Sequence, residues 1–221
     1  MKIEDVLNQM KYENSKELEE AKKYIALKGM VQYQRIINYC KNLSNELPTY
    51  TVVSNLYRYD KRLRDNLYIY MATVEEFMRA RIGNKFENDD SNLVKTEQFI
   101  KKQNKYKYKS VSLTLEQLTL GELIQLVLKN KIIFQDAYNL ETLKINLKAF
   151  RVLRNKVSHH NFLLAETYEE CIVNNIVYKT IKYNIDNMKF LLPIEYRQGF
   201  SKTINECVKG LQINDSIQIK I

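Results

Sequence analysis

The chain has 221 residues, 45% of them hydrophobic, enough to bury a core in one large domain or in one domain with an appendage. Thirty-five Lys+Arg against 26 Asp+Glu give a net charge of +9, which favours a polyanionic partner such as nucleic acid. Three widely spaced cysteines, Cys40, Cys171 and Cys207, exclude a disulfide framework or a zinc cluster, and no run reaches the roughly 18 apolar residues of a membrane span; the expectation is a cytoplasmic chain with reduced thiols, no membrane partner, no metal and no cofactor.

Only 5 glycines and 2 prolines interrupt the sequence, so long helices and an all-α fold are expected. The first amphipathic stretch is 15–40, where Leu18, Ala21, Ile25, Met30, Val31 and Ile36 recur at helical spacing, with Gly29 as a break. After Pro48 a second helix is predicted over 56–82, capped by Ser54 or Asn55 and stopped by Gly83. Leu56, Tyr59, Leu63, Leu67, Tyr70, Val74, Phe77 and Ile82 form its apolar stripe, while Asp60, Arg64, Asp65, Glu75, Arg79 and Arg81 decorate the other faces. Residues 95–109 carry Lys101, Lys102, Lys105 and Lys107 interleaved with Tyr106 and Tyr108. They read either as a solvated loop or as an RNA-binding patch with stacking rings. Helices are predicted next within 112–130, over 140–162, over 168–190 and around 200–211. The final SIQIKI alternates as a short strand or a frayed tail would.

The run RVLRNKVSHHN, 151–161, holds both histidines of the chain. On a straight helix Arg151, Asn155 and His159 share one face, so Asn155 is placed to orient the His159 ring. Arg154 and His159 are about 140° apart around the axis, and their cooperation needs a distorted helix or a second copy of the chain. A guanidinium and an imidazole suit phosphate chemistry, since one binds phosphate oxygens bidentately and the other gives or takes a proton near neutrality. The same residues also fit a structural role, with Arg154 paired to an acid and the histidines at a helix C-terminus.

The segment LRNKVSHHN resembles the R-N-x-x-x-H signature of HEPN ribonucleases, in the doubled-histidine form of the Abi-like proteins of phage abortive infection. Upstream, LYRYDKRLRDNLYIYMATVEEFMRARIGN, 56–84, and LTLGELIQLV, 118–127, are similar to further segments of that family. The likeness therefore covers roughly 55–165. The chain departs from the family after its histidines, where Asn161-Phe162-Leu163 stands and tryptophan is lacking altogether. The resemblance implies an all-α HEPN-type helical bundle. Together with the helices predicted outside the likeness, the expected organisation is a HEPN-like core over 51–195, an N-terminal helical extension over 1–50 and a C-terminal helix and tail over 196–221. The resemblance also implies an endoribonuclease that needs no metal, in a toxin of phage abortive infection or of a toxin–antitoxin system. The implied partners are an RNA substrate, a small RNA or protein antitoxin, and a second copy in a homodimer. Carried over residue by residue, Arg154 would hold the scissile phosphate, Asn155 would orient a catalytic group and His159 would be general acid or base. His160, Arg151, Glu75 and Arg79 would support them. Two other outcomes follow from the same residues: an RNA-binding module without turnover, or a scaffold for a partner protein.

Overall fold

The computed structural model describes residues 1–44 and 46–221, and these are mostly helical. In chain order they form α1 (Ile3–Leu7), α2 (Ser15–Lys28), α3 (Met30–Leu43), α4 (Tyr50–Phe86), α5 (Glu97–Tyr106), α6 (Val111–Glu116), α7 (Leu120–Lys129), α8 (Leu143–Ser158), strands β1 (Cys171–Val173) and β2 (Ile176–Tyr178), α9 (Ile181–Leu191) and α10 (Ile194–Glu206). No helix among the described residues is long and apolar enough to cross a membrane. The chain divides into two compact units: Met1–Leu67, Lys156–Thr167 and Lys202–Ile221 form one, and Tyr68–Asn155 with Tyr168–Ser201 form the other. Residues 1–50 thus share a unit with 51–67, 156–167 and 202–221.

In the first unit, Val6, Ala21, Ile25, Tyr33, Ile36, Ile37, Val53, Leu56 and Phe162 make one buried cluster from α1 to α4 and the segment after α8. Gly29 does separate α2 from α3. Its φ of 93° is one that a side chain would strain, and its N–H closes the end of α2 on the Ile25 carbonyl. α4 begins earlier than the sequence suggests. Thr49 Oγ1 accepts from the Val52 N–H at 3.3 Å as the capping contact, and Ser54 and Asn55 lie buried inside the helix. The C-terminal tail is not a strand. Ile219 is buried and donates its N–H to Tyr59 Oη at 2.7 Å, while Asn205 exchanges two hydrogen bonds with the Ile221 backbone.

In the second unit Met71, Val74, Met78, Phe99, Leu123, Phe134, Phe150, Leu153 and Met188 are buried. Gly83 does not stop α4, which continues to Phe86. A Cβ at Gly83 would come within 2.7 Å of Ser112 Oγ, so the glycine permits the close approach of α6. Most of the lysine-rich segment is helix: Thr96 caps α5 through the Phe99 N–H, Lys107 ends it in the left-handed conformation, and Tyr108 and Lys109 follow outside it. Thr119 and Glu122 form a capping box on α7. Between 168 and 180 the predicted helix gives way to an antiparallel hairpin, with Val173 opposite Ile176. Asn174 and Asn175 both have positive φ, the signature of a two-residue hairpin turn, and Ile172, Val173, Ile176 and Val177 are β-branched. Asn146 of α8 holds β1 by accepting from the Ile172 N–H at 2.8 Å and donating to its carbonyl at 3.0 Å. Helix resumes in α9, and α10 starts at Ile194, straight after Pro193, rather than near 200.

Candidate functional site

In the second unit, α4 and α8 bring three of the expected side chains together. Glu75 and Arg79, four residues apart on α4, pair at 3.3 Å between Oε2 and Nη1. The other oxygen of Glu75 takes Nε of Arg154 from α8 at 3.2 Å. One carboxylate therefore binds two guanidinium groups, whose remaining partners differ. Arg79 also donates to the Leu115 and Leu118 carbonyls at 3.3 and 3.2 Å, so it ties α4 to the chain around α6. Arg154 uses Nε alone. Its Nη1 and Nη2 have no partner among the described residues, and its side chain is 35% exposed. The guanidinium plane is thus fixed on one edge and open on the other, the arrangement that a bidentate contact with a phosphate requires.

Arg151 and Asn155 are exposed on α8, and neither makes a hydrogen bond among the described residues. With Lys144 and Lys148 they form an exposed stripe at helical spacing, although Lys148 pairs with Glu169 at 2.9 Å. On α5 the lysines are not equivalent. Lys102 donates to the Gln117 carbonyl at 2.9 Å, and Lys101 forms an exposed ion pair with Glu97 at 2.6 Å. Lys105 lies 5.0 Å from the centre of the Tyr106 ring, which stacks on Tyr108 with centroids 5.4 Å apart, and Lys107 is exposed.

In the first unit the two histidines follow the end of α8 at Ser158, so neither lies within the helix that the periodicity predicts as far as 162. Two backbone contacts close that end: His160 N–H to the Val157 carbonyl at 3.1 Å, and Asn161 N–H to the Lys156 carbonyl at 3.0 Å. This is a Schellman closure, and His160 occupies its left-handed position with φ of 54°. His160 is held from two sides, its carbonyl accepting from Gln32 at 2.7 Å and its Nδ1 lying 3.3 Å from Arg64 Nη1. Arginine can only donate, so Nδ1 is the accepting side of this contact. His159 is exposed and makes no hydrogen bond among the described residues.

Two residues of this region escaped the sequence reading as site elements. Asp60 and Arg64, expected on the solvated faces of α4, are buried, and they pair at 2.8 Å. Asp60 Oδ1 also accepts the Leu163 N–H at 2.7 Å, fixing the chain just after the histidines. Burial pushes the Asp60 carboxyl up to about 6, against the opposing pull of Arg64 and the Leu163 N–H. The available signal was an Asp-Arg pair at i and i+4 beside the apolar positions Tyr59, Leu63 and Leu67.

Among the described residues no group of three or more His, Cys, Asp or Glu side chains is placed to hold a metal ion. The three cysteines are buried, and burial raises the Cys40 and Cys171 thiols to about 11, which makes them poor nucleophiles. Comparisons of the chain with family models, with curated proteins and with solved structures return no match.

Proposed function

We propose that the chain is a HEPN-type endoribonuclease, similar to the Abi-like proteins, that acts as a toxin in phage abortive infection or a toxin–antitoxin system. The observation that carries this reading is the half-open guanidinium of Arg154, anchored by Glu75 through Nε with its Nη edge unoccupied. It stands in the same R-N-x-x-x-H run as the exposed His159. In this reading the 2′-hydroxyl of RNA loses its proton to an imidazole and attacks the adjoining phosphorus. Arg154 neutralises the charge that builds on the phosphoryl oxygens, and the 5′-oxygen leaves with a proton from a general acid. The products are a 2′,3′-cyclic phosphate and a 5′-hydroxyl. A homodimer supplies two copies of His159, one for each proton transfer. Glu75 and Arg79 hold Arg154 in place, and Asn155 and Arg151 line the approach.

His159→Ala should lower cleavage of RNA at least about 100-fold without moving the thermal midpoint, since general acid–base groups contribute on the order of 10²- to 10⁴-fold. Wild-type rates in that variant would overturn the assignment, as would products lacking cyclic phosphate and 5′-hydroxyl ends. A chelator should leave the rate unchanged.

A second reading, an RNA-binding module that holds a structured antitoxin-type RNA without cutting it, is favoured by Lys105 and Tyr106 at the end of α5 and the stacking of Tyr106 on Tyr108 just beyond it. Salt-sensitive binding with no cleaved ends would select it. A stable protein complex indifferent to Arg154 and His159 would select a scaffold instead.

A further inference from the structure

One exposed ring of the second unit stands beside Arg154 and has no role in the chemistry above. Tyr68 precedes Glu75 by seven residues, two turns along the same side of α4, with Met71 and Ala72 between them. It is 58% exposed, and among the described residues it makes no hydrogen bond and no ring contact. Tyr68, Met71, Ala72, Glu75 and Arg154 line a recess of about 120 Å³. Of these, Met71 is buried and Ala72 contributes only a methyl group to the lining.

The lining groups define what the recess can take. Its volume of about 120 Å³ leaves room for part of a planar ring. The Nη edge of Arg154 suits phosphate oxygens. A bare tyrosine face suits any nucleobase, because every base has a π face. Each oxygen of Glu75 already accepts from an arginine, so the carboxylate positions the two guanidinium groups. The ring face and the Nη edge offer stacking and charge, neither of which distinguishes one base from another.

We propose that this recess is a nucleotide subsite in which Arg154 takes a backbone phosphate and Tyr68 stacks the adjoining unpaired base, so that the site accepts single-stranded rather than duplex RNA. In a duplex the base is already stacked and paired, and its face is closed to Tyr68. The inference rests on the ribonuclease reading only for the identity of the strand as RNA.

The test uses the full chain carrying His159→Ala, so that the strand stays intact, and follows the anisotropy of a labelled single-stranded decamer RNA, the same decamer with abasic positions, and its duplex. Adding Tyr68→Ala should weaken binding of the intact single strand by about 5- to 100-fold. Binding of the abasic strand and the duplex should not change, and Tyr68→Phe should bind as the parent does. Equal affinity for the single strand after Tyr68→Ala, or equal losses on single strand and duplex, would overturn the subsite. Because the chain contains no tryptophan, Tyr68→Trp supplies a lone indole whose emission should be quenched by the single strand. This second variant decides the matter if Tyr68→Ala does not fold, since unchanged emission at saturation would also overturn the proposal. Cleavage is measured separately on the parent chain. Tyr68-dependent binding without cleavage removes the ribonuclease reading and leaves the subsite, whereas cleavage with Tyr68-independent binding removes the subsite alone.

Discussion

A carboxylate that is only 2% exposed, 2.8 Å from a buried arginine, sits under two opposing effects. Loss of water disfavours the charge of Asp60, the guanidinium of Arg64 favours it, and the balance leaves the acid at about 6 against an ordinary value of 3.8. Between those values the folded chain keeps a proton that the unfolded chain has released. The contribution of Asp60 to stability is therefore complete below about pH 4 and is lost as the pH rises through about 6. Asp60→Asn cannot titrate. Urea unfolding at pH 4 and pH 7 should show the variant gaining on the wild type by on the order of 2–3 kcal/mol across that interval. A difference that stays flat with pH would mean that Arg64 keeps Asp60 charged throughout. The consequence reaches the histidines, because Asp60 holds the Leu163 N–H and Arg64 touches the His160 ring.

At the end of α8 the two histidines become different residues. His160 occupies the left-handed position of the helix closure, where glycine is usual and where histidine is tolerated better than most side chains, while His159 precedes it exposed and without a hydrogen bond among the described residues. His160→Gly should relieve the backbone cost and lose the Arg64 contact, leaving stability within about 1 kcal/mol of wild type and cleavage intact. His160→Val, β-branched at positive φ, should cost more than about 1–2 kcal/mol. Paired thermal melts and cleavage assays check this. If His160→Gly abolishes cleavage at unchanged stability, the working histidine is His160 and not His159. The same helix end explains why periodicity overshoots: Val157 and Phe162 are both buried, but the chain between them turns, and the hydrophobic pattern alone does not register a turn closed by backbone hydrogen bonds.

For the whole molecule, the proposed function and a net charge of +9 together predict binding of RNA that weakens with salt. Four to six phosphate contacts would weaken single-strand binding by on the order of 10²-fold between 50 and 200 mM salt, with a logarithmic slope of about −0.7 per contact. Removing one of them with Arg154→Ala should flatten that slope by about 0.7 and should leave a finite slope from the other basic residues. Titrations at four salt concentrations measure this, and an unchanged slope would take Arg154 out of phosphate contact. The predominance of helix, the break at Gly29 and the apolar stripe of α4 were all legible from one sequence. Each depends on local terms: few helix breakers, the freedom of glycine and a repeat near 3.6 residues. The hairpin at 171–178 was not, because Asn174 and Asn175 adopt positive φ where Asn146 of α8 anchors β1, and that anchor is a contact 26 residues away. The i, i+4 spacing marked Asp60 and Arg64 as a pair beside apolar positions, but their burial and the exposure of Tyr68 came only with the packing. The sequence by itself determined which residue types suited to phosphate chemistry stand in the chain, and that Glu75, Arg79 and Arg154 lie on helices. Only the tertiary structure decided that Glu75 holds two arginines and leaves one of them with an open edge, because burial and partner geometry come from chain segments brought together by folding.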